Sequence, residues 1–204
     1  MRSHPAACLI ILALGLSSAN GAEPPSGREA AVALVEKLGG QVETDSTRPG
    51  NPVIKVDLHG TKVTDADLAV IASLTDLEQL DLRLTTIGDE GVVHLKGLKR
   101  LRFLNLFRTR TGDAGLKTIG GLPDLETLLI GGTRITNEGL AHVSRLARLK
   151  KLSVFDTQIG DAGLDHLTKL SHLETLLIGK SKISDDGVKR IQAALPKIRF
   201  SEPT

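Results

Sequence analysis

The stretches LKRLRFLNLFRTRTGDAGLKTIGG (residues 98–121) and LARLKKLSVFDTQIGDAGLDHLTK (residues 146–169) are two copies of one 24-residue unit. A leucine opens each of five such copies, at Leu74, Leu98, Leu122, Leu146 and Leu170. A fixed period of this length indicates a solenoid, in which one unit cannot bury its apolar face alone and stacking completes the core. A degenerate copy covers residues 50–73, so six repeats are predicted over residues 50–193.

The hydrophobic period changes within each repeat. The first half alternates, as in Leu80-Asp81-Leu82, which is typical of a strand. The second half spaces apolar residues as a helix does, for example Leu116 and Ile119. Each repeat therefore predicts one short strand followed by one short helix.

The residues that precede each helix suggest how it begins. The predicted N-caps are Thr64, Gly88, Gly112, Thr136, Gly160 and Ser184. Acids, with one asparagine, follow them at Asp65, Asp89, Asp113, Asn137, Asp161 and Asp185, beside the positive helix end. Glycines recur in the first helical turn at positions 91, 115, 139, 163 and 187, where we expect them to allow close approach of the neighbouring coil.

The shared pattern LxxLxxLxLxxTxIxDxGLxxL resembles a leucine-rich repeat. It is similar to the cysteine-containing repeats of F-box leucine-rich proteins and to secreted bacterial repeat proteins. The resemblance covers about residues 50–200 and implies an α/β horseshoe, with a parallel sheet on the concave face and short helices on the convex face. Two departures matter: threonine or serine (Thr85, Thr109, Thr133, Thr157 and Ser181) stands where those relatives often carry Cys or Asn, and no F-box precedes the repeats.

The ends of the chain differ from the repeats. Residues 1–21 have a basic start and a short apolar run, Cys8 to Leu16, followed by small residues, which predicts an export signal cleaved near Gly21. Cleavage after Ala19 or Ala22, and an uncleaved anchor, are the alternatives. Cys8 precedes the apolar run rather than following it, so a lipid anchor is not expected. The expected location is periplasmic or secreted.

Capping segments are predicted on both sides of the repeats. Residues 22–27 read as a flexible leader, and residues 28–49 as a capping helix and a turn, with Ser26 as N-cap. Residues 194–204 form a C-terminal cap in which Ile198 and Phe200 act as a lid. Beyond the predicted signal the chain has no cysteine, so its stability must come from the stacked core.

The composition argues against several function classes. The 26 basic and 24 acidic residues nearly balance, so the chain lacks the charge expected of a nucleic-acid-binding protein. No dinucleotide-binding or P-loop motif occurs, no serine lies in a nucleophile motif, and no cofactor is expected. These points favour a non-catalytic chain.

Residues between the core leucines are predicted to face outward from the concave sheet. The first column is Lys55, Gln79, Phe103, Thr127, Lys151 and Thr175; the second is Asp57, Asp81, Asn105, Leu129, Ser153 and Leu177. The third is His59, Arg83, Phe107, Gly131, Phe155 and Gly179, and the row beyond it is Gly60, Leu84, Arg108, Gly132, Asp156 and Lys180. Three of the four phenylalanines in the chain fall in these columns.

The phenylalanines suggest a binding surface. Phe107 and Phe155 lie two repeats apart, roughly 10 Å, and Gly131 between them is expected to leave a slot about one side chain wide. An apolar centre within a charged rim is what a protein-binding patch requires. The predicted binding residues are Phe103, Phe107, Leu129, Phe155, Leu177, Arg83, Arg108 and Lys151. Burial in a homodimer, or simple cover for the strand backbone, are the alternatives.

Other polar groups carry weaker hypotheses. Asp57, Asp81 and Asn105 have the oxygen ligands for a divalent ion, but neutralisation of the acids by His59, Arg83 and Lys55 is the default. Acid–base hydrolysis is a further possibility that a shallow face disfavours. Zinc at His94, His142 and His166 is disfavoured because no Cys or acid shares their column. The basic run Lys99, Arg100, Arg102, Arg108 and Arg110 suggests an anionic glycan, an acidic peptide, or a solvated face.

The sequence thus predicts an exported protein-binding module of unknown partner, with no catalytic residue and no metal. A structural or self-associating envelope component is the alternative. An F-box-like adaptor and a metal-dependent hydrolase are the remaining ones, and an export signal speaks against the adaptor.

Overall fold

A computed structural model describes residues 27–201 and shows an open solenoid with one sheet on its concave side. The predicted export signal, Ser26 and the last three residues lie outside the described range. The strands are β1 (Gln41–Thr44), β2 (Val53–Asp57), β3 (Gln79–Asp81), β4 (Phe103–Asn105), β5 (Thr127–Leu129), β6 (Lys151–Ser153), β7 (Thr175–Leu177) and β8 (Arg199–Phe200).

Short helices line the convex side. They are α1 (Gly27–Lys37), α2 (Asp67–Ile71), α3 (Asp89–Val93), α4 (Asp113–Ile119), α5 (Asn137–Val143), α6 (Asp161–Leu164) and α7 (Asp185–Ala194). Segments of 3₁₀-helix continue α3 at His94–Gly97 and α6 at Asp165–Leu167. The change of hydrophobic period therefore marks a real change of backbone in every repeat.

The strands follow one another in chain order through a sheet of eight. Strands β2 to β8 are parallel, whereas β1 pairs antiparallel with β2. Partners in the parallel part are 24 residues apart, as in the pair Phe103 and Thr127. This register confirms the predicted outward columns in the strands and places one residue from each repeat side by side.

The core consists of aliphatic layers. The repeat leucines Leu80, Leu104, Leu128 and Leu152 are fully buried, one in each successive strand. Strand leucines pack against helix residues such as Leu116 and Ile119, which are also fully buried. Since Leu, Ile and Val fill these thin layers, the core needs few aromatic residues.

The ends of the stack are closed differently. At the amino end, Ala31 and Val35 of α1 are buried against the first layer. At the carboxyl end, Ile198 is 5% exposed and Phe200 packs against the core cluster. The first repeat also departs from the expected pattern, because α2 begins at Asp67 rather than directly after Thr64.

Backbone bonds between residues three apart explain that late start. The Asp67 N–H donates to the Thr64 carbonyl (3.1 Å) and the Leu68 N–H to the Asp65 carbonyl (3.3 Å), so a turn precedes the helix. The side chains of Thr64 and Asp67 still bond to each other's backbone as in a capping box. The Asp67 carboxylate accepts a hydrogen bond from the Thr64 backbone N–H (2.8 Å), and the Asp67 N–H donates to the Thr64 hydroxyl (3.4 Å).

Thr136 and Ser184 occupy the predicted N-cap positions of α5 and α7. The Ser184 hydroxyl accepts from the Gly187 N–H (3.1 Å), whereas the Thr136 hydroxyl donates to Asp113 (2.7 Å) and accepts no bond from its helix.

The recurring threonines hold each repeat's own turn. The Thr109 hydroxyl donates to the Leu106 carbonyl (2.8 Å), and Thr157 does the same to Val154 (2.6 Å). Both side chains are nearly buried, so each satisfies a carbonyl that water cannot reach. This bond lies within one repeat and does not link neighbours.

A second set of hydrogen bonds does link neighbours. We call it the inter-repeat ladder; its acceptors are Asp65, Asp89, Asp113, Asn137 and Asp161. Each accepts a hydrogen bond from the backbone N–H that begins the next repeat's helix, for example Gly112 to Asp89 at 2.7 Å. Asp89 also accepts from the Gly115 N–H (2.9 Å). The ladder satisfies helix-end donors that would otherwise have no partner within the helix.

The ladder explains the glycine of the first helical turn. A Cβ atom at Gly115 would lie 2.7 Å from both Asp89 Oδ1 and Thr111 Cγ2. The equivalent glycines of the other repeats face the preceding ladder residue in the same way. The predicted close approach is therefore confirmed, and the closest neighbour is a side-chain oxygen rather than backbone.

Gly115→Ala tests this steric requirement. The added methyl has to displace a carboxylate that already holds two N–H groups, so we expect a loss of about 2 kcal/mol or more in the free energy of unfolding. Gly97→Ala is the matched control, because a Cβ there meets nothing within 4 Å and should change stability by at most about 0.5 kcal/mol. Urea denaturation measures both, and equal losses would contradict the ladder's role.

Asp89→Ala and Asp89→Asn test the hydrogen bonds themselves. Alanine leaves two part-buried N–H groups unpaired, for a cost of about 1–3 kcal/mol. Asparagine keeps an accepting oxygen, as Asn137 does toward Gly160 (2.9 Å), and should retain most of the stability. Urea denaturation again provides the comparison, and an asparagine variant as unstable as the alanine variant would show that charge, not acceptance, matters.

Candidate functional site: the concave face

The centre of the concave face is an aromatic patch, which we define as Phe103, Phe107, Leu129 and Phe155. All four side chains are partly exposed, although the leucines between them along the chain are buried. Strands β4 and β5 position Phe103 and Leu129, while Phe107 and Phe155 lie two residues beyond β4 and β6. The structure brings these four predicted residues together on one surface.

The two outer rings touch across a glycine. The ring centroids of Phe107 and Phe155 are 6.5 Å apart with an interplanar angle of 37°. A Cβ at Gly131 would lie 3.1 Å from Phe107 Cδ2 and 2.8 Å from the Phe155 carbonyl oxygen. The predicted open slot was therefore wrong, because the rings lean toward each other and cover Gly131. The result is one continuous aromatic surface.

Two cationic side chains pack on the faces of these rings. The Arg108 guanidinium carbon lies 5.2 Å from the Phe107 ring centroid, and Lys180 Nζ lies 5.5 Å from the Phe155 ring centroid. Such cation–π contacts are each worth about 0.5–1 kcal/mol at exposed sites. Predicted rim residue Lys151 is exposed, and within residues 27–201 it forms no ion pair.

Two predicted patch residues contribute less than expected. Leu177 is only 8% exposed, and in its column Asn105 and Ser153 are 3% and 6% exposed. These three side chains are therefore sheltered, whereas Leu129 in the same column is partly exposed. Arg83 is partly exposed and is paired with Asp81 (Arg83 Nε to Asp81 Oδ2, 3.6 Å).

The acidic residues at the amino-terminal end of the face are already bonded. Asp57 Oδ1 accepts from the His59 backbone N–H (3.0 Å) and contacts His59 Nδ1 (2.7 Å). Asp81 accepts from the Arg83 N–H (3.0 Å) and from Asn105 Nδ2 (3.2 Å). Arg83 thus supplies the predicted neutralisation of Asp81, and His59 is bonded to Asp57.

Lys55 does not join that neutralisation. It pairs with Glu43 of β1 instead (3.2 Å), because the antiparallel pairing of β1 and β2 places the two side chains in register. In the range 27–201 no group of three His, Cys, Asp or Glu side chains is arranged to hold a metal ion. The zinc hypothesis for His94, His142 and His166 therefore finds no support in the geometry, and Asn105 turns its amide nitrogen, which cannot ligate an ion, toward Asp81.

Two of the five residues of the basic run, Arg100 and Arg102, form ion pairs. Arg100 pairs with Asp76 (2.5 Å), and Arg102 pairs with Glu126 (2.5 Å), which also binds Lys150 (2.8 Å). Bonding to Lys150 and to Arg102 lowers the pKa of Glu126 below its ordinary value. Among these residues Arg108 is the one that reaches the aromatic patch.

A feature that the sequence did not reveal borders the patch. The row Gly60, Leu84, Arg108, Gly132, Asp156 and Lys180 adopts positive φ angles in every repeat, and we call it the left-handed row. Its N–H groups continue the sheet ladder, as in Arg108 N–H to the Gly131 carbonyl (2.8 Å). The two glycines in this row were the available signal, since glycine favours this backbone region.

A leucine-rich repeat family model matches residues 73–95 and 148–167. The repeats of this chain form a leucine-rich-repeat solenoid. Its fold is similar to that of two internalins from Listeria monocytogenes. InlF is 23% identical with a TM-score of 0.60, over 70% of this chain and 39% of that one. Internalin C2 is 25% identical with a TM-score of 0.54, over 72% and 70% of the two chains.

The leucine-rich repeat chain spans well under half the length of InlF. No curated protein matches it. The structural likeness to InlF therefore shows the shared fold alone. Leucine-rich repeat folds commonly mediate protein–protein interactions, and their curvature creates an extended concave binding surface.

Acid titration tests the bonding of Asp57. Partial burial raises its pKa, but the hydrogen bonds from the His59 backbone and ring outweigh burial, so the pKa lies below its ordinary value. A lowered folded-state pKa stabilises the fold above the unfolded-state pKa, and that stability is lost as pH falls through the folded value. We therefore expect wild type to lose more stability than Asp57→Asn below about pH 4.

Urea denaturation at pH 7, 4 and 3 measures this difference. Asp185→Asn is the control, because within residues 27–201 the Asp185 side chain accepts no hydrogen bond. The control should keep the pH dependence of wild type. If Asp57→Asn also keeps it, the bonds to His59 do not stabilise the carboxylate.

Proposed function

We propose that this chain is a non-catalytic protein-binding module that recognises a protein or peptide partner through its concave face. The observation that carries the proposal is the aromatic pair Phe107 and Phe155, whose rings touch on an otherwise open sheet surface. Exposed aromatic surface of this kind marks interaction sites, because water contact with it is unfavourable. The patch contains three of the four phenylalanines in the chain.

The surface is preformed. Each patch residue lies on or directly after a strand whose neighbours are hydrogen-bonded on both sides. The buried leucines Leu104, Leu128 and Leu152 hold these strands from below. A rigid site loses little conformational entropy on binding, which favours affinity.

The chemistry of the patch fits a protein partner. Aromatic and arginine side chains dominate binding energy at interfaces, and here Phe107 and Arg108 are adjacent. The carboxylates that acid–base chemistry would need, Asp57 and Asp81, are bonded to their own neighbours on an open surface. This arrangement supports binding rather than catalysis.

We propose an exported location on the basis of residues 1–21, the predicted signal. Within the described part of the chain, no helix is long and apolar enough to cross a membrane. The recognition surface, residues 103–180, belongs to the exported part.

Self-association is the second candidate. The edge strands β1 and β8 each pair with one neighbour in the described sheet, so each leaves one side available to another strand. Both are short, at four and two residues, which limits the area an edge-to-edge contact could bury. Light scattering over a hundredfold concentration range separates the two candidates, since a constant monomer mass excludes self-association.

The double variant Phe107→Ser/Phe155→Ser tests the proposal. Wild type and variant are immobilised and exposed to envelope extract and culture fluid of the source organism, and each recovered protein is then purified and titrated. A partner of the patch should bind the variant at least roughly 30-fold more weakly, because aromatic anchors contribute about 2 kcal/mol or more at hot spots.

The matched control is Val70→Ser/Val93→Ser, which removes two exposed apolar side chains from the convex face (37% and 45% exposed). It should bind as wild type does. Because the two rings are partly exposed, the face variant should lose less stability than the core variant Leu104→Ala, for which about 3 kcal/mol is expected. A partner that binds the face variant unchanged would refute the site, and an unfolded face variant would assign the rings to the core.

A further inference from the structure

Four residues of the left-handed row are not glycine, although a positive φ angle is less costly for glycine than for any other residue. Their φ angles are 59° at Leu84, 53° at Arg108, 55° at Asp156 and 56° at Lys180. This backbone region costs an L-residue roughly 1–2 kcal/mol, and the same row uses glycine in two other repeats. Residues held in sparsely populated backbone conformations are concentrated at functional sites, so a functional role is expected for these four side chains.

The four side chains do little for the fold. All are exposed, with Leu84 at 51%, the most exposed large apolar residue of the described chain. Arg108, Asp156 and Lys180 form no ion pair within residues 27–201, where most other concave charges are paired. The contacts that Arg108 and Lys180 do make are with the faces of Phe107 and Phe155.

The concave face is therefore positive from the third repeat onward. The outward side chains of this part include four cations, Arg108, Lys151, Lys180 and Arg199, and one acid, Asp156. The outward acids of the first two repeats, Asp57 and Asp81, are bonded to His59 and Arg83 instead. A partner with negative charge complements the positive part of the face.

The distance between the cations of the left-handed row determines how far apart the negative charges of a partner must lie. Arg108 and Lys180 are three repeats apart, about 14 Å at about 4.8 Å per strand. An extended segment rises about 3.3 Å per residue, so the distance corresponds to about four residues of a partner. The aromatic pair lies between the two cations, and Asp156 repels a carboxylate placed at the centre.

We propose that the left-handed row determines the partner's chemistry. The row and the aromatic patch together bind an extended acidic segment with two carboxylates about four residues apart. One carboxylate pairs with Arg108 and the other with Lys180. An apolar side chain between the carboxylates packs on Phe107 and Phe155, and Leu84 extends the apolar contact beyond Arg108. This inference rests on the proposed function, because it identifies the class of partner for the same site.

Selection from a displayed library of random 12-residue peptides provides the probe. Enriched peptides should carry acidic residues three to five positions apart with an apolar residue between them. The consensus peptide is synthesised, labelled and titrated by fluorescence polarisation. Its affinity should fall as salt rises, and Arg108→Glu/Lys180→Glu should weaken it at least roughly 30-fold.

The charge control is Lys96→Glu/Lys117→Glu, which makes the same change of charge at exposed positions on the convex side. It should bind the peptide within about threefold of wild type. Equal weakening by the two double variants would show that net charge alone attracts the peptide, and that result overturns the proposal.

A glycine variant separates binding from folding. Arg108→Gly/Lys180→Gly removes both cations and relieves the left-handed backbone, so its melting temperature should equal or exceed that of wild type while peptide binding falls at least roughly 10-fold. A clear drop in melting temperature would show that the two side chains serve the fold, against the proposal.

The outcomes also separate this inference from the proposed function. Neutral or basic enriched peptides whose binding is lost in Phe107→Ser/Phe155→Ser would overturn the acidic-segment inference and leave the binding patch standing. Failure to enrich any peptide, or enriched peptides that bind this phenylalanine variant unchanged, would count against the patch itself, and the inference would fail with it.

Discussion

The structure depends on one hydrogen bond made between successive repeats, from the N–H that begins a helix to the Asp or Asn of the repeat before. For that bond to form, the side-chain oxygen must lie close to the backbone of the next repeat. The glycine in the first helical turn leaves space for it, as Gly115 does for the carboxylate of Asp89. The spacing of coils then places each strand beside its neighbour in constant register. Because the register is constant, single residues 24 positions apart become neighbours, and a surface such as the aromatic patch can be built from them.

The repeated unit accounts for most of what the sequence could predict. Hydrophobic period and spacing predict strands, helices and outward columns, because those follow from which residues must be buried. Features that depend on side-chain torsion or on local competition escape this reasoning. The closure of Phe107 and Phe155 over Gly131 is a rotamer choice, and the late start of α2 follows from the i to i+3 backbone bonds of the turn after Thr64.

The left-handed row was hidden for a different reason. Leucine and lysine have no preference for positive φ, so the residue types at Leu84 and Lys180 do not indicate this conformation. Gly60 and Gly132 in the same row are the residues that do indicate it. The conformation is imposed by the turn that follows each strand, where the N–H of the row bonds to the next repeat. Burial of Leu177 was likewise invisible, since the alternating pattern that predicts an outward side chain does not determine how far its neighbours cover it.

The one-dimensional stacking also bears on motion. Each repeat contacts chiefly the repeats before and after it, so local unfolding starts at the ends of the stack and costs more toward the middle. Phe103, Phe107, Leu129 and Phe155 belong to the third, fourth and fifth of six repeats. The aromatic patch is therefore expected to lie where amide hydrogens exchange most slowly, whereas Lys180, in the sixth repeat, lies nearer the end of the stack that opens first.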